Sequence, residues 1–196
     1  MMWEAFQSYW TLRWTQQPQS HPIPSHVTRE FVDTQAGKIE LLVSYPQIPA
    51  LSLPQKPPIF FVHGGNGHAS VWLEWMTHLS ETYNATTYAY SLRNHGASFP
   101  VPYFKMVWGT SLDDLASDLI TAVADACRRA GQEPIVVAHS SGGGLAQYCL
   151  SKGLFQARGL VLVGAVPHFG NVSYFTQELD GTKLGRWRCT STGSPE

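Results

Sequence analysis

Three stretches of this 196-residue chain are apolar without interruption: Ile59 to Val62, Ile135 to Ala138 and Leu160 to Val163. Runs of this length and kind read as strands buried on both faces, because a strand with one wet face would alternate apolar and polar residues. Between and around them, Val71 to Ser80, Ser111 to Ala130 and Gly142 to Lys152 carry helical spacing, and Ala85 to Tyr90 returns to a strand. Buried strands alternating with amphipathic helices predict an α/β domain, a mostly parallel sheet with helices on both faces.

The strongest helix signal is Ser111 to Ala130. Leu112, Leu115, Leu119, Val123 and Ala126 form one stripe, Asp113 and Asp114 sit in the first turn, Arg128 and Arg129 lie near the last, and Gly131 supplies a stop. Upstream, Glu30 to Asp33 and Lys38 to Ser44 read as a hairpin joined through Gly37. These signals divide the chain into an N-terminal helix and linker (1–25), a core (26–167) and an irregular tail (168–196). In the first part, Trp3, Phe6, Trp10 and Trp14 lie near one helical face, read as packing on the chain's own domain.

Thirteen basic and fourteen acidic residues leave a formal charge of -1, so no field draws in nucleic acid or an anionic membrane. Polar residues break up the apolar ones from Met1 to Trp14, which contains neither a secretory h-region nor a transmembrane segment. Cys127, Cys149 and Cys189 are too scattered for a zinc site or a disulfide framework. A reducing, cytoplasmic setting is the expectation, with no metal and no cofactor. A loose G-x-G-x-x-G match at Gly65 to Ser70 lacks the third glycine and the later acidic residue of a dinucleotide site.

The chemistry concentrates in Val137-Ala138-His139-Ser140-Ser141-Gly142-Gly143-Gly144, which follows an expected strand and opens an expected helix. A serine on so sharp a strand-to-helix turn needs small residues two positions before and after it. Ala138 and Gly142 satisfy this for Ser140, whereas Ser141 has the bulky His139 two positions back. The competing structural reading is a helix N-cap serine before a glycine-rich turn. A nucleophilic serine also needs two backbone N–H groups to hold the developing oxyanion. Ser141 at the helix start is one candidate. The second falls in His63-Gly64-Gly65-Asn66, with Gly65 as first choice and Asn66 in reserve. Asn66 and His139 are also the candidate substrate-binding residues.

The ordered set His63-Gly64-Gly65-Asn66-Gly67, Ser91 to Ser98 (SLRNHGAS) and Ala138 to Gly144 (AHSSGGG) resembles the α/β-hydrolase superfamily, in particular its lipase- and esterase-like members, over roughly Glu30 to Pro167. The resemblance implies an oxyanion loop, a turn after the next strand and a nucleophile elbow, in that order. It implies loop-shaping roles for His63 and a structural role for His95, not a catalytic base. The alternation of side chains along a strand sets His139 on the face away from Ser140.

The resemblance also implies an acid and then a histidine beyond Val163. His168 is the one histidine after Ser140, and it precedes Glu178, Asp180 and Glu196, the reverse of the family order. The expectation is an incomplete α/β-hydrolase fold whose family pattern is lost after about Tyr174. Such a fold leaves an apolar sheet edge uncovered. Two functions follow: an esterase-like serine hydrolase, weak or inactive as this chain, acting on a small molecule with an ester or amide bond; or a non-catalytic relative that binds a small apolar ligand or a protein partner. Apolar residues in Val101 to Trp108 are candidates for an acyl pocket or for core packing. The sequence leaves the oligomeric state open.

Overall fold

The computed structural model describes residues 22–46 and 56–167. The aromatic face expected at Trp3, Phe6, Trp10 and Trp14 lies outside them, as do Cys189, His168, Glu178 and Asp180.

Six strands form one sheet: β1 (Val27–Asp33), β2 (Lys38–Ser44), β3 (Ile59–Val62), β4 (Thr87–Tyr90), β5 (Ile135–His139) and β6 (Gly159–Val163). Their order across the sheet is β1-β2-β4-β3-β5-β6. The β1–β2 hairpin and the β2–β4 pair are antiparallel, and β4, β3, β5 and β6 run parallel. A 3-10 turn at Ala69–Trp72 leads into α1 (Leu73–Tyr83), followed by α2 (Tyr103–Trp108), α3 (Leu112–Ala130) and α4 (Ser140–Ser151).

The uninterrupted apolar runs have a direct cause in this arrangement. Phe60 and Val62 of β3 join Tyr88, Tyr90, Val136 and Ala138 in a core under α3 and α4. Phe61, one residue along, points the other way and packs with Leu42, Ala89 and Val137 against Trp72 and Met76. β3 therefore feeds two cores, which is why its run is apolar at every position.

α3 is closed at both ends as its sequence predicts. The Ser111 hydroxyl accepts from the Asp114 N–H while the Asp114 carboxylate accepts from the Ser111 N–H, and Gly131 takes a left-handed φ of 67°. The apolar stripe differs at its start. Leu112 is 44% exposed, because it is the first residue of the helix and burial begins a turn later, at Leu115 and Ala116.

β6 also departs from expectation. Its uninterrupted apolar run predicts burial on both faces, yet Val161 and Leu162 are 47% and 45% exposed. Among the described residues β6 pairs with β5 alone and forms the edge of the sheet. Cys149 is buried and Cys127 half-buried, and both are free thiols whose ionisation burial pushes upward. No helix among the described residues is long and apolar enough to cross a membrane.

Candidate functional site

β5 ends at His139 in extended backbone and α4 begins at the next residue, with no loop between them. The reversal is absorbed at Ser140, whose φ of 52° lies in the left-handed region. A non-glycine residue there costs about 1–2 kcal/mol; the other two non-glycine residues with positive φ among the described residues, Asn84 and Asn94, are asparagines, which tolerate it better than serine does. Ala138 is fully buried on one side of the turn. On the other, a Cβ on Gly142 would overlap the His63 carbonyl oxygen and stand 2.8 Å from Val62 Cγ1.

The two following glycines are also required, which sequence reading did not anticipate. A Cβ on Gly143 would collide with Ala165, and one on Gly144 would approach Val166 Cγ2 to 3.1 Å. The segment after β6 is bound to the turn in return: the Val166 N–H donates to the Ser140 carbonyl at 3.0 Å, and Gln147 Nε2 donates to the carbonyls of Gly143 and Val166.

Facing Ser140, the chain leaves β3 through a turn closed by Gly67 N–H donating to the Gly64 carbonyl at 3.0 Å. Gly64 is the glycine pressed against the nucleophile candidate. A Cβ on it would stand 2.9 Å from Ser140 Cβ and 2.8 Å from His139 Nδ1. No signal distinguished it from Gly65 in the sequence. Gly65 faces the next residue of α4, since its Cβ would lie 3.3 Å from Ser141 Oγ. Gly65, Asn66, His139 and Ser141 are exposed and Ser140 is half-buried, so the crevice between turn and loop opens to solvent.

His139 therefore comes nearer to Ser140 than strand alternation implies. The alternation rule stops at His139 because Ser140 is no longer in extended backbone, and both side chains crowd Gly64.

The two loop histidines are engaged with main chain. His63 is fully buried; its Nε2 accepts from the Leu92 N–H at 3.0 Å, which leaves Nδ1 to donate to the Gly64 carbonyl at 2.7 Å. Burial pushes its pKa down to about 4, against the raising effect of the Gly64 bond and with a smaller push from His95, His68 and His139. His95 spans two carbonyls, Gly65 at 2.8 Å from Nε2 and Arg93 at 2.9 Å from Nδ1.

The turn carrying His95 is itself fixed by a buried carboxylate. Glu40, 1% exposed, accepts from Arg29 Nε at 2.7 Å, from Ser91 Oγ at 2.6 Å and from the Ala97 N–H at 2.9 Å. Ser91 Oγ accepts in turn from the Ala69 N–H at 2.9 Å, tying the start of the 3-10 turn to the same node. Arg93 forms a buried fork on Asp118 of α3, with contacts of 2.6 and 3.0 Å.

The Ser141 N–H belongs to the first turn of α4, where a helix offers no internal acceptor, so it is available to an anion. The residues brought together are thus one hydroxyl at a strained bend, one helix-terminal N–H and a glycine loop across the crevice. Among the described residues, no histidine ring is hydrogen-bonded to Ser140.

The sequence model described as "Alpha/beta hydrolase family" matches residues 59–191, more than half of the chain and past Tyr174, where the pattern was expected to fade. Among curated proteins, none matches. Solved structures match well: epoxide hydrolase VrEH1 from Vigna radiata at a TM-score of 0.57 and 17% identity, covering 72% of this chain and 39% of that one; a thioesterase domain from the curacin biosynthetic pathway at 0.56 and 21%, covering 79% and 51%; and a haloalkane dehalogenase loop variant from Bradyrhizobium elkanii at 0.55 and 15%, covering 69% and 39%. At such identities the likeness is one of fold, and the chain spans about two-fifths to half of each structure's length.

Proposed function

This chain belongs to the alpha/beta hydrolase family, and from that premise we propose that it is a serine hydrolase, cleaving carboxylic esters of a small molecule through an acyl-enzyme on Ser140. The observation that carries the reading is the positive φ at Ser140, a strain that a mere helix cap has no reason to hold, since caps use ordinary extended backbone.

In the proposed reaction Ser140 Oγ attacks the ester carbonyl carbon, and the carbonyl oxygen becomes an oxyanion. The Ser141 N–H and the Gly65 N–H, or that of Asn66, hold this charge. The serine proton passes to solvent water, the intermediate collapses by expelling the alcohol, whose oxygen takes up a proton from water, and a second water then attacks the acyl carbon, releasing the acid and restoring the Ser140 hydroxyl. His139 and Asn66, exposed at the rim, contact the substrate.

Proton transfer sets the rate. A serine hydroxyl without a hydrogen-bonded base is a weak nucleophile at neutral pH. His63 does not serve, because both its nitrogens are engaged and burial holds it neutral. The described residues, with no base bonded to Ser140, support weak turnover, on the order of 10³–10⁴ over water from oxyanion binding alone. The two free thiols among the described residues support a cytoplasmic setting.

A second reading rests on the absence, among the described residues, of a base bonded to Ser140: the crevice binds a small apolar ligand or a partner without chemistry. Hydrolysis of short-chain p-nitrophenyl esters separates the two. The proposal requires release above that of Ser140→Ala; equal rates for both proteins, with saturable ligand binding, select the second reading.

A further inference from the structure

The geometry points to His95 as a positioning residue for the oxyanion loop, a role that deepens the serine-hydrolase reading of Ser140 and rests on it. In a trans peptide the C=O and the following N–H point in opposite directions. The direction of each N–H in the loop is therefore set by whatever holds the carbonyl before it. The Gly64 carbonyl is held by His63 Nδ1 and the Gly67 N–H, which fixes the Gly65 N–H. The Gly65 carbonyl accepts from the Nε2–H tautomer of His95 at 2.8 Å, which fixes the Asn66 N–H and makes that N–H, in place of Gly65's, the second oxyanion donor. Gly65 and Asn66 are the exposed middle of this turn, and Gly65, without a Cβ, leaves the peptide that joins them freer to flip than any other residue would.

His95 comes from thirty residues away and reaches the loop from a turn that cannot drift. Gly96 beside it takes a φ of 54°, and a Cβ there would overlap Glu40 Oε2. The buried Glu40 carboxylate and Ser91 anchor that turn to β2. His95 thus transmits the frame of that turn to the Gly65–Asn66 peptide plane.

The two ring contacts allow a decisive substitution pair. The amide nitrogen of glutamine is the same number of bonds from Cβ as His95 Nε2, whereas that of asparagine matches Nδ1. A neutral imidazole carries one N–H, so His95 donates either to Gly65 through Nε2 or to Arg93 through Nδ1; His95→Gln keeps a donor for Gly65, His95→Asn one for Arg93, and His95→Leu neither. The measurement is the second-order rate of fluorophosphonate labelling at Ser140, with the Gly65 carbonyl 13C and Asn66 amide 15N shifts recorded on the same proteins. The expected result is a roughly ten-fold loss of labelling for His95→Leu and His95→Asn, with both shifts displaced, and rescue of rate and shifts by His95→Gln. Equal behaviour of the Gln and Asn variants, or unchanged shifts in His95→Leu, overturns the assignment. If wild type is not labelled beyond Ser140→Ala, the hydrolase reading falls, and the shifts alone decide whether His95 holds the loop.

Discussion

Gly142 lies so close to the His63 carbonyl that the start of α4 and the end of β3 meet backbone to backbone. That contact sets the width of the crevice, because one side of it carries Ser140 and the other the glycine loop. Its tolerance for change is small: the obstacle is a main-chain oxygen, which cannot rotate aside.

Gly142→Ala is therefore expected to destabilise the fold by at least about 1–3 kcal/mol and to abolish labelling of Ser140, as read by urea unfolding and an active-site probe. Gly131→Ala supplies the contrast. Gly131 has φ of 67° but nothing within 4 Å of a Cβ, so it bears only the conformational cost of about 1–2 kcal/mol and leaves the crevice unchanged.

Strain at Ser140 gives a second expectation. Ser140→Gly relieves a left-handed φ of 52° that Ser140→Ala retains. The glycine variant should be more stable than the alanine variant by about 1 kcal/mol, although glycine elsewhere usually lowers stability through the unfolded chain. An alanine variant as stable as the glycine one would mean that the bend is unstrained.

His63 predicts a pH dependence. Its pKa is lowered from 6.5 to about 4 on folding, so between these values the unfolded chain binds a proton that the folded chain refuses. Stability is then complete above about pH 6.5 and falls as pH drops toward 4, by up to about 3 kcal/mol from this one group. His63→Gln should flatten that part of the profile, measured as the difference between the two proteins' unfolding free energies at each pH.

Arg93 and Asp118 are 6% and 1% exposed at their side chains. Arg93→Ala strands a buried carboxylate and is expected to cost about 3–5 kcal/mol, while Arg93→Met with Asp118→Leu recovers most of it. A loss below 1 kcal/mol in the single variant would show that water reaches the pair.

The cores were legible in the sequence because β3 is apolar at every position and β5 at every position before His139, and the α3 boundaries because Ser111, Asp114 and Gly131 are local signals that need no tertiary information. Asp118 was invisible for the opposite reason. It interrupts an apolar helix face and makes sense only through Arg93, twenty-five residues away. Glu40 is a second such residue, buried because a distant turn donates to it. At the crevice, the context of Ser140 was readable from a strand, a helix and two small neighbours. The need for Gly64, Gly143 and Gly144 was not, since each answers to a residue brought in by the fold, namely Ser140, Ala165 and Val166. The exposure of β6 likewise depends on what flanks it, which four apolar letters do not record.

The most direct test of Ser140 as nucleophile is intact-mass spectrometry of the folded chain after incubation with a fluorophosphonate, with the adduct mapped by peptide sequencing. The expected result is a single phosphonyl adduct on Ser140 that is absent from Ser140→Ala and from heat-denatured protein. An unmodified mass under conditions where the chain unfolds cooperatively, or an adduct on Ser141 in place of Ser140, would contradict it.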